Sequence, residues 1–536
     1  MTAITFRRCR FAVLTLALAM PFIVAQAQTY TVLHNFVGTD GCCATYPSQM
    51  AQGEDGNIYG ATTSDGSGGY GTIFRITPAG AFTDLHDFSF SDGAGPQGGL
   101  SLALDGNFYG TTYQGGTHSR GTIFRITPAG AFTSLYSFNG TTDGAYPRIP
   151  PVMAQDGNLY GVTGDDTNAI LYKLSSAGAF SVVGTLATKS YSPLLLGIDG
   201  NLYGTTLGGG TYNSGTVFQF SPSAKTIKTL FSFHTEWSPQ GPLIQGVDGA
   251  LYGTTGSGGT GDGGCVFRVT TSGSYKAIYQ FTVSGTTDGR YPQTGVVQGS
   301  DGFLYGVASD GGAFGLGTLF KVSTSGIGFQ DLYDFQAATG DTPSSALLLH
   351  TNGTLYGETF HGGTHVAYGT VFSFTNKLKP FTAPLVFHSA KVGGSVSLLG
   401  QGFTTATAVN FGATAATFTV KSDTFLVAKP AAGSTTAQIT VKEPSGNLLT
   451  FQKFKIVPSI TGFTPTSGPV GTQVTITGMS LSQATSVKFG GVKATTFTVN
   501  SNTQVTATVP SGAVTGKISI TTPGGTASSA SVFTVQ

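Results

Sequence analysis

The chain has 536 residues, too many for one small domain, and its 80 glycines and 10% charged residues are a poor composition for long helices. A formal net charge of +1 gives no electrostatic reason to expect a nucleic acid or an anionic membrane as partner. Four cysteines in this length exclude a disulfide-built scaffold.

The first element in chain order is a targeting segment. Arg7, Arg8 and Arg10 precede the apolar run Phe11–Val24, and Ala25-Gln26-Ala27 is a small-x-small cleavage pattern. Residues 1–27 therefore predict a secretory signal peptide, removed from the mature protein together with Cys9. Its loss takes three arginines and no acid, leaving 23 basic and 25 acidic residues, a net of −2. No later apolar run approaches the ~20 residues of a membrane helix, so no membrane insertion is expected. The protein is expected to be secreted, to the extracellular space or cell surface, with the periplasm as the alternative.

From Asp55 onward one phrase returns: DGNIYGAT at Asp55, DGNFYGTT at Asp105, DGNLYGVT at Asp156, DGNLYGTT at Asp199, DGALYGTT at Asp248, DGFLYGVA at Asp301 and NGTLYGET at Asn352. Its tyrosines are spaced 50, 51, 43, 49, 53 and 51 residues apart, a period that signals a solenoid, propeller or array. Each unit reads as four strands. Strand a precedes the Asp-Gly turn, as in Pro242–Val247; strand b is LYGTT; strand c is GTIFRI, as at Gly71; strand d ends in an aromatic, as in LYSF at Leu135. The composition and pattern are all-β. Radial repetition of four-stranded sheets makes a β-propeller. The last repeat stops after strand c at Phe374, and the mature N-terminus supplies an orphan strand d, Tyr30–Phe36. A ring explains this pairing of ends, because the first strand removes the free edge of the last sheet. The expectation is a seven-bladed propeller, residues 28–378, closed by its N-terminal strand.

The a–b and c–d turns are short. The b–c loops (LGGGTYNSG at Leu207) and the d–a loops (VSGTTDGRYP at Val283) are long and emerge from the same face, where binding is expected. The run LYSF, TDGAYP, DGNLYGTT, GTIFRITPAG resembles the GloVer tandem repeat of secreted bacterial proteins, from Thr29 to about Phe374. The resemblance implies an exported propeller and brings no catalytic residue with it.

After Lys379 the period ends, and two copies of about 78 residues follow: VNFGATAATFTVKSDTFLVAKPAAG (Val409–Gly433) aligns with VKFGGVKATTFTVNSNTQVTATVPSG (Val487–Gly512). Short alternating strands predict two Ig-like β-sandwiches, 379–457 and 458–536. Both resemble IPT/TIG domains, ITGFTPTSGPVGTQVTITG (Ile460–Gly478) most closely; the first departs from the opening motif with PLVFHSAKVGG. Such domains imply spacers or binding modules.

Candidate chemistry is sparse. The Asp of each Asp-Gly turn is explained by the turn. A second acidic set, Asp40, Asp92, Asp143, Asp288 and Asp341, lies in the d–a loops, where carboxylates could meet sugar hydroxyls or a cation. His361 and His365 have an i, i+4 spacing, but two intervening glycines make a helix implausible and no further ligands cluster, so no metal site is expected. There is no GxSxG elbow and no P-loop lysine. The single tryptophan argues against the tryptophan docking motifs of quinone-dependent propeller dehydrogenases. No cofactor is expected; Ca2+ stays open without a motif to support it. Tyr46, Tyr146, Tyr291 and Trp237, beside Gln240 and Gln293, present aromatic faces suited to sugar rings. The binding candidates are Asp143, Tyr146, Trp237, Asp288 and Tyr291. Cys42 and Cys43 are expected either joined to each other or both reduced, and Cys265, aligned with a strand-c threonine, reads as a small buried hydrophobe.

These features favour an exported, non-enzymatic binding or adhesion protein, a monomer, whose loop face recognises an extracellular polysaccharide or cell-surface polymer and whose tail is a spacer. One alternative is a secreted carbohydrate-active hydrolase or lyase with Asp143, Asp288 or Glu358 as acid or base, which needs two carboxylates about 5–9.5 Å apart. A purely structural cell-envelope protein is the other.

Overall fold

The repeated phrases pair with one another in a way that explains their composition. In the first sheet Gly60 of strand b lies opposite Phe74 of strand c, and a Cβ on Gly60 would collide with the Phe74 ring. The same partnership joins Gly110 to Phe124, Gly204 to Phe218 and Gly357 to Phe372. The glycine is thus a seat for an aromatic ring. Next along the strand, Thr62 and Thr72 share a 3.0 Å hydroxyl–hydroxyl bond, and the Thr72 backbone N–H donates to Thr62 Oγ1 at 3.1 Å. Thr112–Thr122 and Thr206–Thr216 repeat this latch at 2.8 Å. At the turn, Asp199 accepts from the Asn201 backbone N–H and, 2.7 Å away, from the Tyr203 hydroxyl. The Asp therefore ties the turn to the strand that follows it.

The structure, a computed structural model, describes residues 28–44, 48–164, 169–283 and 288–536; the expected signal peptide lies outside them. It is all-β, with one 3-10 turn, Phe403–Thr405, as the helical element among the described residues. Each repeat forms an antiparallel sheet in the order a–b–c–d, as in Leu195–Leu196, Leu202–Thr206, Thr216–Ser221 and Thr226–Ser232. Strand a is shorter than expected. Ile244–Gln245 is the ladder within the predicted Pro242–Val247, because the flanking residues leave the pairing at the inner edge of the sheet. Strand d carries a bulge at its Leu (or equivalent), at Leu85, Leu135, Leu230 and Leu332.

Successive sheets pack face to face in a propeller-like array. Tyr59 and Ile73 of the first sheet bury against Phe108, Phe124 and Ile126 of the second, with Phe88 and Leu100 between. At the rim, a strand-d ring stacks on the first aromatic of the next strand d: His86 on Phe132 at 4.0 Å, Phe231 on Tyr275 at 4.1 Å, Tyr279 on Phe329 at 4.0 Å.

The N-terminal strand, Thr29–Asn35, pairs antiparallel with Thr370–Thr375 of the last sheet. It behaves as a strand d in each respect. It has the bulge, at Leu33. Tyr30 stacks on Tyr333 of the preceding sheet and His34 on Phe82 of the first, at 4.0 and 3.9 Å. Phe36, with 1% of its surface exposed, packs with Phe74 and Ile76 of the first sheet and with Tyr356 and Val371 of the last. The array is closed through these contacts.

The closing seam also holds an acid. Glu358 occupies the place of a strand-b threonine, is fully buried, and accepts one bond, from Ser48 Oγ at 3.3 Å, while its Oε1 has no partner among the described residues. Burial pushes its carboxyl up to about 8, so it is a neutral acid in the folded protein at pH 7.

Beyond Lys379 the chain forms two further β units. In the first, Val396–Leu399, Phe425–Lys429, Thr414–Ser422, Ala408–Phe411 and Ile439–Glu443 are neighbours in one continuous sheet around a core that includes Phe403, Phe411, Leu426 and Phe454. In the second, a four-stranded and a five-stranded sheet enclose Ile476, Phe489, Val505, Ile518 and Phe533. The first unit is no free spacer. It sits against the Asp-Gly turns: Thr424 Oγ1 donates to Glu54 O (2.7 Å), Gln401 Nε2 to Thr351 Oγ1 (2.9 Å) and Gln155 Nε2 to Ser389 Oγ (2.8 Å), while Gln452 bonds to Gln245 O. Phe381 and Phe451 stack at 4.3 Å and, with strand-a residues Ile244, Val297 and Leu349, line a cavity of about 310 Å³.

Two outcomes follow from the seam. A chain starting at Ser48 loses the closing strand and the burial of Phe36, roughly 1.5–3 kcal/mol from that side chain alone. It is expected to melt lower or to aggregate in thermal denaturation, and melting like the full chain would contradict closure. Glu358 binds its proton more tightly when folded than when unfolded, so its contribution to stability is full below the ordinary carboxylate range and is lost as pH rises through about 8. Glu358→Gln should therefore flatten the fall of melting temperature between pH 6 and pH 9, measured by scanning calorimetry.

Candidate binding face

The long loops are cross-braced. Five of the d–a loops bridge to the b–c loop of the following sheet: Cys42 to Ser64, Ala94 to Gln114, Glu236–Trp237 to Ser257–Gly258, Arg290 to Asp310, and Asp341 to His361. This places both loop sets on one face. A turn geometry recurs there: the residue before the loop proline has positive φ, at Gly95 (64°), Tyr146 (56°), Ser238 (57°), Tyr291 (61°) and Thr342 (52°). The proline then lies over the glycine that opens strand c, where a side chain would collide with it, as for Pro147 over Gly121. Glycine and small polar residues suit the first position; two tyrosines there are outliers for bulky side chains.

The d–a carboxylates do not form an open ring. His34 Nε2 and the Val37 N–H hold Asp40 at 2.8 and 2.9 Å, and His86 and the Ser89 N–H hold Asp92. Asp143 is 4% exposed and accepts from Tyr136 Oη (2.8 Å) and from the Asn139 and Gly140 N–H groups. Asp288 accepts from Tyr279 Oη at 2.6 Å. Its Oδ1 is also buried. Each of these two carboxylates thus has an oxygen bonded to a tyrosine of the preceding strand d, which ties the loop to that strand. Glu358 lies buried in the seam.

The aromatic candidates stand differently. Trp237 is 54% exposed, and its ring lies against Gly258, where a Cβ would strike it. Tyr146 is half-buried, 5.1 Å from the Tyr113 ring, with the Arg120 guanidinium 5.2 Å from its centroid and bonded to its hydroxyl. Tyr291 is half-buried below Arg290, itself paired with Asp310 at 2.9 Å. Tyr46 lies outside the described residues. The three described rings belong to separate loops, and the structure gives no contact between them.

Sequence reasoning passed over several residues of this face. Tyr70, Phe90, Tyr212 and Phe314 are exposed loop aromatics, and Tyr212 packs edge-on against His234 at 4.2 Å. Arg148 follows the loop proline where Gln97, Gln240 and Gln293 stand in other repeats; that alignment was available in the sequence. Carboxylates do converge elsewhere, because the strand-d bulge brings residues three apart to one side. Asp331, beside Asp334, is raised to about 7 by burial and then by its neighbour's charge, and Asp84, beside Asp87, to about 6 in the same way.

Among the described residues no group of three or more His, Cys, Asp or Glu is placed to hold a metal ion. Cys42 and Cys43 are bonded to each other, and Cys265 is a buried free thiol that takes the latch position opposite Thr255, its Sγ 3.4 Å from Oγ1. Burial pushes the Cys265 thiol up to about 11.

Braced loops on an all-β repeat array define a repeat protein with a single elaborated face. The chain belongs to the Gloeobacter/Verrucomicrobia repeat family, whose model matches residues 22–193, 190–421 and 285–492. An IPT/TIG domain matches residues 458–535. No curated protein matches the chain. Among solved structures it is similar to oligogalacturonate lyase from Vibrio parahaemolyticus, at 10% identity and a TM-score of 0.43 over 65% of this chain and 97% of that one. A putative 6-phosphogluconolactonase from Bacteroides uniformis is similar at 15% identity and a TM-score of 0.41, over 56% of this chain and 89% of that one. A surface glycan-binding protein from Prevotella bryantii is similar at 19% identity and a TM-score of 0.23, over 28% and 41%. No helix among the described residues is long and apolar enough to cross a membrane.

Peptide mapping of the unreduced protein should return Cys42 linked to Cys43 and Cys265 as a thiol. In the native protein at pH 8, Cys265 should resist alkylation until denaturant is added; a bridge to Cys265 would contradict its place in strand c.

Proposed function

We propose that this is an exported, non-enzymatic binding protein. In this reading residues 28–378 are a seven-bladed β-propeller closed by its N-terminal strand, followed by two Ig-like sandwiches, 379–457 and 458–536. The b–c/d–a face takes an extracellular polymer, most simply a polysaccharide. One observation carries this: the exposed aromatic side chains among the described residues, Tyr70, Phe90, Tyr212, Trp237 and Phe314, all stand on these loops. Large exposed side chains elsewhere are aliphatic, such as Ile327 and Val247. Exposed rings on a rigid frame stack on sugar faces at little entropic cost. Their distribution over several repeats suits a ligand that repeats too, where weak contacts add through avidity.

The first tail unit supports the choice of face, because it covers the opposite, Asp-Gly side through Glu54, Thr351 and Gln155. The second then acts as the spacer. Replacing Trp237 and Tyr291 together by Ala should cut retention on insoluble polysaccharides at least tenfold in a pull-down, with a melting temperature close to that of the parent. Unchanged retention, or loss only through unfolding, would remove the face from consideration and turn attention to the tail.

A further inference from the structure

The first tail unit fastens the Asp-Gly side of the array but does not fill the space beneath it. The cavity of about 310 Å³ under Phe381 and Phe451 runs along the inner strands of three successive repeats: Ile244 of the fifth, Val297 of the sixth, and Leu347, Leu348 and Leu349 of the last. A second cavity, of about 300 Å³, shares Leu348, Leu349 and Phe381 with it and continues past Met50 and Leu102 of the first and second repeats. The two form a curved trough that follows the ring. No charged side chain lines either one among the described residues. The amides of three lining glutamines are engaged at both ends. Gln245 accepts from the Ile198 N–H and donates to Gly249 O, Gln298 accepts from the Val247 N–H and donates to Gly302 O, and Gln52 exchanges two bonds with Thr351. Gln452 Nε2 donates to Gln245 O, while its Oε1 is buried without a partner among the described residues. Val247, part of the lining of the larger cavity, is 59% exposed, so the trough reaches solvent beside it.

Protein interiors are close-packed, and voids much larger than a water molecule are few. A hollow of this size falls instead in the range of small-molecule pockets, roughly 300–1,000 Å³. An aliphatic wall whose amides are already engaged gives a polar ligand nothing in return for the water it sheds, so the wall favours hydrocarbon. A trough that bends from one repeat to the next admits a flexible chain and excludes a rigid polycycle. Gln452 Oε1 is an acceptor, which suits a hydroxyl; a carboxylate would bring a second acceptor to a lining that holds no cation.

We propose that the trough between the inner strands and the first tail unit binds the unbranched hydrocarbon chain of a neutral, hydroxyl-bearing amphiphile. The chain enters beside Val247 and lies along Val297 and Leu348 beneath Phe381 and Phe451. The site is on the side of the array opposite the long loops and is independent of the polymer-binding reading given above.

The mature chain, residues 28–536, is titrated calorimetrically with straight-chain primary alcohols of increasing length, each kept below its solubility limit, and with the carboxylates of equal length. Affinity for the alcohols is expected to rise about fourfold per added methylene until the chain outgrows the trough. The carboxylates should bind at least tenfold more weakly. Val247→Trp, at an exposed position, should block the mouth and lower affinity for the alcohols at least tenfold while leaving retention on insoluble polysaccharides unchanged. Val247→Glu serves in its place if the tryptophan variant melts early. No saturable binding of any alcohol, affinity indifferent to chain length, or unchanged affinity in a folded Val247 variant overturns the site. Equal affinity for alcohols and carboxylates overturns the neutral hydroxyl head.

Discussion

The structure depends on one cross-strand partnership: a strand-b glycine that leaves room for a strand-c aromatic ring. At Gly60 and Phe74, and again at Gly110 and Phe124, the far end of the ring occupies the space that a Cβ on the glycine would need. The ring seated there is part of the sheet's apolar face, against which the neighbouring sheet packs Tyr and Ile side chains. The interior of the array is made of these faces. The threonine latch and the Asp–Tyr bond hold the register that sets glycine against ring, since a slip of one residue would turn each ring to the other side. The eight-residue phrase recurs because its letters have fixed partners, the Asp, Gly and last Thr within the same sheet and the Tyr and first Thr also toward the next.

That economy explains what the sequence made legible. The period, the strand assignments and the orphan N-terminal strand could be read because the repeat is local: Asp199 and Tyr203 are four residues apart, and Thr206 and Thr216 ten. The place of the tail could not be read. Thr424 meets Glu54 across 370 residues, through a hydroxyl and a backbone carbonyl that leave no pattern in composition. The candidate face was half legible. Trp237 and Tyr291 stood out as aromatics in long loops, and the loops do gather on one side. The surroundings of Asp143 and Asp288 could not be read, because a loop carboxylate looks the same in sequence whether it faces solvent or, as here, accepts from a tyrosine seven or nine residues before it.

The loops themselves are stiffer than their glycine content suggests. Bridges between d–a and b–c segments, and prolines seated over the strand-c glycines Gly71, Gly121, Gly215, Gly264 and Gly317, hold the frame that presents the rings. Many of those glycines supply positive φ or clearance, as Gly258 does beneath Trp237. A glycine-rich loop can therefore be rigid, and the positive-φ tyrosines at 146 and 291 show where the frame tolerates strain.

The seating of the first tail unit has a mechanical consequence. Its hydrogen bonds reach Glu54 in the first repeat, Gln155 in the third, Gln245 in the fifth and Thr351 in the last. A module fastened to points spread around a circle acts as a hub. The first and last repeats meet at the seam, and both are fastened to it, so spreading the seam means tearing the hub from one of them. Tension applied to the loop face would thus be shared among spokes instead of concentrated on the strand Thr29–Asn35.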